Sequence, residues 1–90
     1  MALYTINKKN TCWRILDGEA VMINIETSFY YSLNKTGTFI WNLLGKGKIG
    51  FEEILRKVSA HYGKEEPEIK NDIKKVLDHL AKENLIEEKE

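Results

Sequence analysis

Ninety residues with 42% apolar and 31% charged side chains describe a soluble globular chain with room for one modest core. Fourteen basic residues balance 14 acidic ones, which speaks against a protein that works mainly by neutralising phosphates. The lone cysteine, Cys12, excludes an internal disulfide and a thiolate metal cluster within one chain.

The opening MALYTINKKN lacks the basic-then-apolar order of a signal peptide. No apolar run approaches the ~20 residues that span a bilayer, so the cytosol is the expected compartment and no membrane partner is expected. Leu3, Tyr4 and Ile6 are compatible with a short strand, followed by a loop at Lys8-Lys9-Asn10. A clearer signal starts at Thr11. Trp13 and Ile15 alternate with Arg14, and Asp17-Gly18 marks a two-residue hairpin turn, since both residue types tolerate positive φ.

Glu19 to Ile25 then carries Val21, Ile23 and Ile25 on one face, with Met22 and Asn24 on the other. Glu26-Thr27 reads as a second turn, and Ser28-Phe29-Tyr30-Tyr31-Ser32-Leu33 reads as a third strand. Cys12 is expected to be a half-buried small residue beside Trp13.

Asn34 stands where a helix N-cap belongs, ahead of Phe39, Ile40, Leu43 and Leu44 on one flank and Trp41 nearby; Gly45-Lys46-Gly47 closes that helix. Phe51, Ile54, Leu55, Val58 and Tyr62 form the apolar stripe of a second helix ended by Gly63. Pro67 suits the first turn of a third helix, whose stripe is Ile69, Ile73, Val76, Leu77 and Leu80. Leu85-Ile86 is expected to pack back on the core, and Glu87 to Glu90 to fray. The expected fold is α+β and winged-helix-like: a three-stranded antiparallel sheet followed by three helices, one domain over residues 1–90 with its core at about 11–86.

Catalytic chemistry is sparse, and an enzyme is not expected. His61 and His79 have no partner at helical ligand spacing, and Cys12 has no histidine nearby in sequence. The GKGKIG segment lacks the spacer and Lys-Ser/Thr pair of a phosphate loop, and KEEPE lacks the ligand alternation of a calcium loop. No cofactor or metal is expected. The third strand, SFYYSL, is aromatic, uncharged and on a sheet edge. Such an edge pairs with something, is covered, or invites aggregation. An edge-to-edge homodimer, a cap formed by Leu3 to Ile6, and an added peptide strand all remain open on residue type alone. A winged-helix nucleic-acid binder would use Lys70, Lys74, Lys75 and Lys82 of the third helix. Asp72, Asp78 and Glu83 share that helix and the chain has only Arg14 and Arg56, so nucleic acid is not the expected partner.

The tryptophan-led first strand, DGEAVMINIETSFYYSLN, TGTFIW at 36–41, GFEEILRKV, and Asp72 followed by Val76-Leu77 and Leu80 together resemble the PqqD-like family. Its members are stand-alone recognition elements for the precursors of ribosomally synthesised, post-translationally modified peptides. The likeness covers roughly residues 11 to 86. Archetypal pyrroloquinoline quinone partners tend to carry alanine where this chain has Gly37 and leucine where it has Trp41. The resemblance is therefore to the wider family, which includes lasso-peptide and radical-SAM peptide systems. It implies that a precursor leader peptide lies as an added strand against Ser28, Phe29, Tyr30, Tyr31, Ser32 and Leu33. It also implies a helical wall of Ile69, Asp72, Ile73 and Val76, and delivery of the bound peptide to a modification enzyme or leader peptidase.

Overall fold

The computed structural model describes residues 2–89. In chain order the elements are β1 (Leu3–Ile6), β2 (Thr11–Leu16), β3 (Glu19–Asn24), β4 (Tyr30–Ser32), α1 (Lys35–Gly45), β5 (Ile49–Gly50), α2 (Phe51–Tyr62), α3 (Glu66–Lys82) and β6 (Ile86–Lys89). They form two antiparallel three-stranded sheets, ordered β2-β3-β4 and β5-β1-β6, with three helices. The fold is thus the expected α+β type, enlarged by a second small sheet.

The β2-β3 hairpin turns where Asp17 (φ 51°) and Gly18 (φ 79°) take successive left-handed conformations. That pair matches the twist of the flanking strands. The second turn is wider than two residues. Asn24 Oδ1 accepts the N–H groups of Glu26 and Thr27, and Ser28 adopts φ 66° with its N–H on Asn24 O. The left-handed Ser28 cannot extend, so the third strand of this sheet begins at Tyr30 rather than Ser28.

Leu3 to Ile6 does not cover the edge of β4. As β1 it is the central strand of the other sheet, with Leu3 opposite both Gly50 and Lys89. The C-terminal segment is correspondingly not frayed through Lys89: Glu87, Glu88 and Lys89 pair with Thr5, Tyr4 and Leu3. Two anchors explain it. Asn84 reverses the chain at φ 60°, and Leu85 and Ile86 are buried at 0% and 2% exposure, which delivers the following residues to the open side of β1.

The core lies between the helices and the inner faces of the sheets. Ile40, Trp41 and Leu44 of α1, Ile54, Leu55 and Val58 of α2, and Ile73, Leu77 and Leu80 of α3 are all buried, at about 1.5–3 kcal/mol per large side chain. Asn34 caps α1, its Oδ1 accepting the Gly37 N–H at 2.9 Å. Trp13 meets Trp41 edge to face with ring centroids 5.7 Å apart.

One alternation runs opposite to its hydrophobicity. Ala20, Met22 and Asn24 face the core, while Val21 and Ile23 face outward and Ile25 is largely exposed. The inward row brings the Asn24 side chain to the end of α3, where its Nδ2 donates to Glu83 O, while the Ala20 main-chain N–H donates to Thr38 Oγ1. Cys12, opposite Ile23 on the outward face, is exposed rather than half-buried. No helix of the described residues is long and apolar enough to cross a membrane.

Candidate peptide-binding site

Of the six residues expected to form the third strand, only Tyr30, Tyr31 and Ser32 are extended in β4. Asn24 N–H donates to Phe29 O and Leu33 N–H to Ala20 O, each at 2.9 Å. In an antiparallel ladder these mark the hydrogen-bonded positions, so the groups of Phe29, Tyr31 and Leu33 turn toward β3. The main-chain N–H and C=O of Tyr30 and Ser32 therefore point away, along an edge free of any other strand among the described residues. Ser28 belongs to the turn, and Phe29 is exposed beyond the strand.

The helical residues converge. Ile69, Asp72, Ile73 and Val76 of α3 line one side of a cleft of about 550 Å³, with Val58 and Tyr62 of α2 opposite. Asn34, Thr36 and Gly37 close it at the start of α1, two residues past the end of β4. Ile73 is core and forms the floor, Val76 is half-buried, and Asp72 is exposed at the rim with Lys64 and Glu68. The wall at Tyr62 is braced from behind: Phe39 stacks on His61 at 4.3 Å and meets Tyr62 edge to face. Sequence periodicity marks Val58 and Tyr62 as stripe residues. Nothing in it signals that the stripe opens onto a cleft, nor that Thr36, Gly37, Lys64 and Glu68 border it.

Space is tight at Gly37. A Cβ there would lie 3.0 Å from Leu33 Cβ and 3.3 Å from Asn34 Oδ1, the N-cap acceptor. Glycine thus lets the chain pass directly from β4 into α1 at the mouth of the cleft.

Beyond the cleft, β4 is tied to the far end of α3. Tyr31 Oη donates to Glu83 Oε1 at 2.6 Å, and its ring meets His79 edge to face. Asp72, Val76, His79 and Glu83 follow one another at helical spacings of four, three and four, so they form one stripe alongside the free edge. The Glu83 hydrogen bond is the main reason that the Tyr31 phenol titrates above its ordinary range, with partial burial and the carboxylate charge adding to it. Tyr4 is also raised, first by burial and then by the Glu88 and Asp78 carboxylates. Among the described residues no three His, Cys, Asp or Glu side chains converge as metal ligands. The site offers main-chain hydrogen bonding and an apolar cleft, the two elements of strand addition.

A profile of coenzyme PQQ synthesis protein D (PqqD) matches residues 19–86. The chain belongs to the PqqD family. Its structure is similar to a solved structure, that of TbiB1 in complex with the TbiA(beta) leader peptide, at a TM-score of 0.84 and 30% sequence identity. The match covers 92% of this chain and 94% of that one. No curated protein sequence matches the chain.

Proposed function

We propose that this PqqD-family protein binds the leader segment of a ribosomally made precursor peptide. The leader adds as a strand to β4 and seats apolar side chains in the cleft along α3. The loaded protein then presents the precursor to a modification enzyme or leader peptidase. One observation carries the reading: an edge unpaired among the described residues, Tyr30 to Ser32, leads to a cleft with apolar walls and a polar rim that Ile69, Asp72, Ile73 and Val76 border. The similarity to TbiB1, whose solved structure holds a leader peptide, supports it.

The division of labour follows from magnitudes. Tyr30 and Ser32 each offer one N–H and one C=O, each bond worth about 1 kcal/mol net. Association itself costs roughly 4–15 kcal/mol. Main-chain pairing alone therefore leaves little affinity, and one or two leader side chains buried in the cleft at about 1.5–3 kcal/mol each supply the remainder. The cleft sets specificity while the edge sets register.

Titration with a labelled candidate precursor peptide tests the reading by fluorescence anisotropy. Saturable binding that persists at high salt, and that a leader-only peptide competes away, is the expected result. Binding only to the modified core segment, or none, would refute it. Affinity for duplex DNA falling steeply with salt would point to nucleic acid instead.

A further inference from the structure

We infer that the cleft along α3 selects its leader by charge: it takes a lysine or arginine whose stem lies on the apolar wall and whose head reaches Asp72. This rests on the leader-binding reading and names the side chain that the cleft prefers. Asp72 is then a specificity-determining residue rather than a surface carboxylate.

The cleft is apolar within and acidic at its mouth. Val58, Ile69 and Ile73 are buried in its walls and floor, whereas the charged residues that border it, Lys64, Glu68 and Asp72, are all exposed. Two carboxylates thus face one ammonium. Among the described residues the ion pairs are Lys57 with Glu53 and Lys89 with Glu87, so neither rim carboxylate is matched within the chain. Glu68 lies in the first turn of α3, where the helix N-terminus offsets its charge. Asp72 stands beyond that turn, and its charge is left for a ligand.

A volume of about 550 Å³ is that of a small-ligand pocket and admits more than one leader side chain. A wholly apolar side chain fills the floor over Ile73 but offers the rim nothing. Lysine and arginine meet both conditions, because their methylene stems cover apolar surface while the charged head stays at the water boundary. A glutamate or aspartate of the leader would meet like charge there, so the rim also rejects. Such a pair at an exposed rim contributes more to choice of partner than to affinity, which keeps binding largely salt-tolerant. The cation belongs outside the stretch paired with Tyr30 to Ser32, on the side that passes Asn34, since the cleft starts two residues past the end of β4.

The test titrates the full chain with a labelled candidate leader peptide and with variants in which each lysine or arginine becomes methionine or glutamate in turn. At one flanking position methionine should weaken binding about threefold and glutamate about tenfold or more. Asp72→Asn should bind the lysine and methionine peptides alike, and Asp72→Lys should reverse the order, favouring the glutamate peptide. Asp78→Lys, at an exposed position of the same helix outside the cleft, should leave the order unchanged. The inference is overturned by a tightly bound leader with no such cation, by an order that survives Asp72→Lys, or by one that Asp78→Lys alters equally. A wild type that binds no leader defeats the leader reading itself, whereas binding indifferent to the charge at residue 72 defeats the selection alone.

Discussion

Proline at neighbouring positions of β4 should separate binding from folding. Ser32 is exposed and its N–H faces the free edge, so Ser32→Pro removes a donor that the folded protein does not use. Tyr31, already extended, suits the residue before a proline. The expected stability cost is within ~1 kcal/mol, while leader affinity loses one main-chain bond of about 1 kcal/mol and meets the pyrrolidine ring at the edge. Together these give a tenfold to hundredfold weaker complex, or ~1.4–2.8 kcal/mol.

Tyr31→Pro acts on the other side of the strand. It removes a ladder bond worth about 1 kcal/mol and, in addition, the hydrogen bond to the Glu83 carboxylate. The edge-to-face contact with His79 is lost as well. A domain of this size loses ~4–8 °C in Tm per kcal/mol, so Ser32→Pro should melt within a few degrees of wild type and Tyr31→Pro well below it. Thermal melts by circular dichroism and leader anisotropy read the two effects. If Ser32→Pro bound leader as wild type does, or melted as low as Tyr31→Pro, strand addition at β4 would be wrong.

Three further outcomes are expected. Val76→Asp in the cleft wall and Asp72→Lys at its rim should weaken leader binding by tenfold or more while lowering Tm by only a few degrees, because neither is fully buried; equal losses in both would make them core residues alone. Gly37→Ala should destabilise by ~1–3 kcal/mol despite the better helix propensity of alanine, since its Cβ presses on Leu33 and on the Asn34 cap; a raised melting temperature would show that the β4-α1 junction yields freely. Tyr31 holds its proton more firmly folded than unfolded, so its hydrogen bond stabilises fully below the ordinary pKa of 10.0 and is lost as pH rises through the higher folded value. Tyr31→Phe should flatten part of the alkaline fall in stability, with Tyr4→Phe as the control of the same sign; identical alkaline profiles in wild type and Tyr31→Phe would remove the Glu83 contact from the account.

Local pattern was enough for the helices. Stripes at 3.6-residue spacing, Asn34 as a cap, and Pro67 in the first turn of α3 are statements about neighbours in the chain, and they place α1 to α3 within a residue or two. The Asp17-Gly18 turn is of the same kind. Of the α3 residues of the candidate site, Ile69, Ile73 and Val76 were legible as an apolar stripe for the same reason, whereas Asp72 came only with the family resemblance.

What tertiary structure alone decided involves partners distant in sequence. β1 and β6 pair across more than eighty residues, so neither the second sheet nor the order of Glu87 to Lys89 could be read from either segment by itself. The direction of the β3 alternation is the clearest case. Val21, Ile23 and Ile25 make a more apolar row than Ala20, Met22 and Asn24, and period two states only that the rows face opposite ways. The carbonyl of Glu83, brought close by folding, accepts the Asn24 side-chain amide and holds the second row inward. Sequence determined that two faces exist; packing chose which is buried, and so left an apolar face to water.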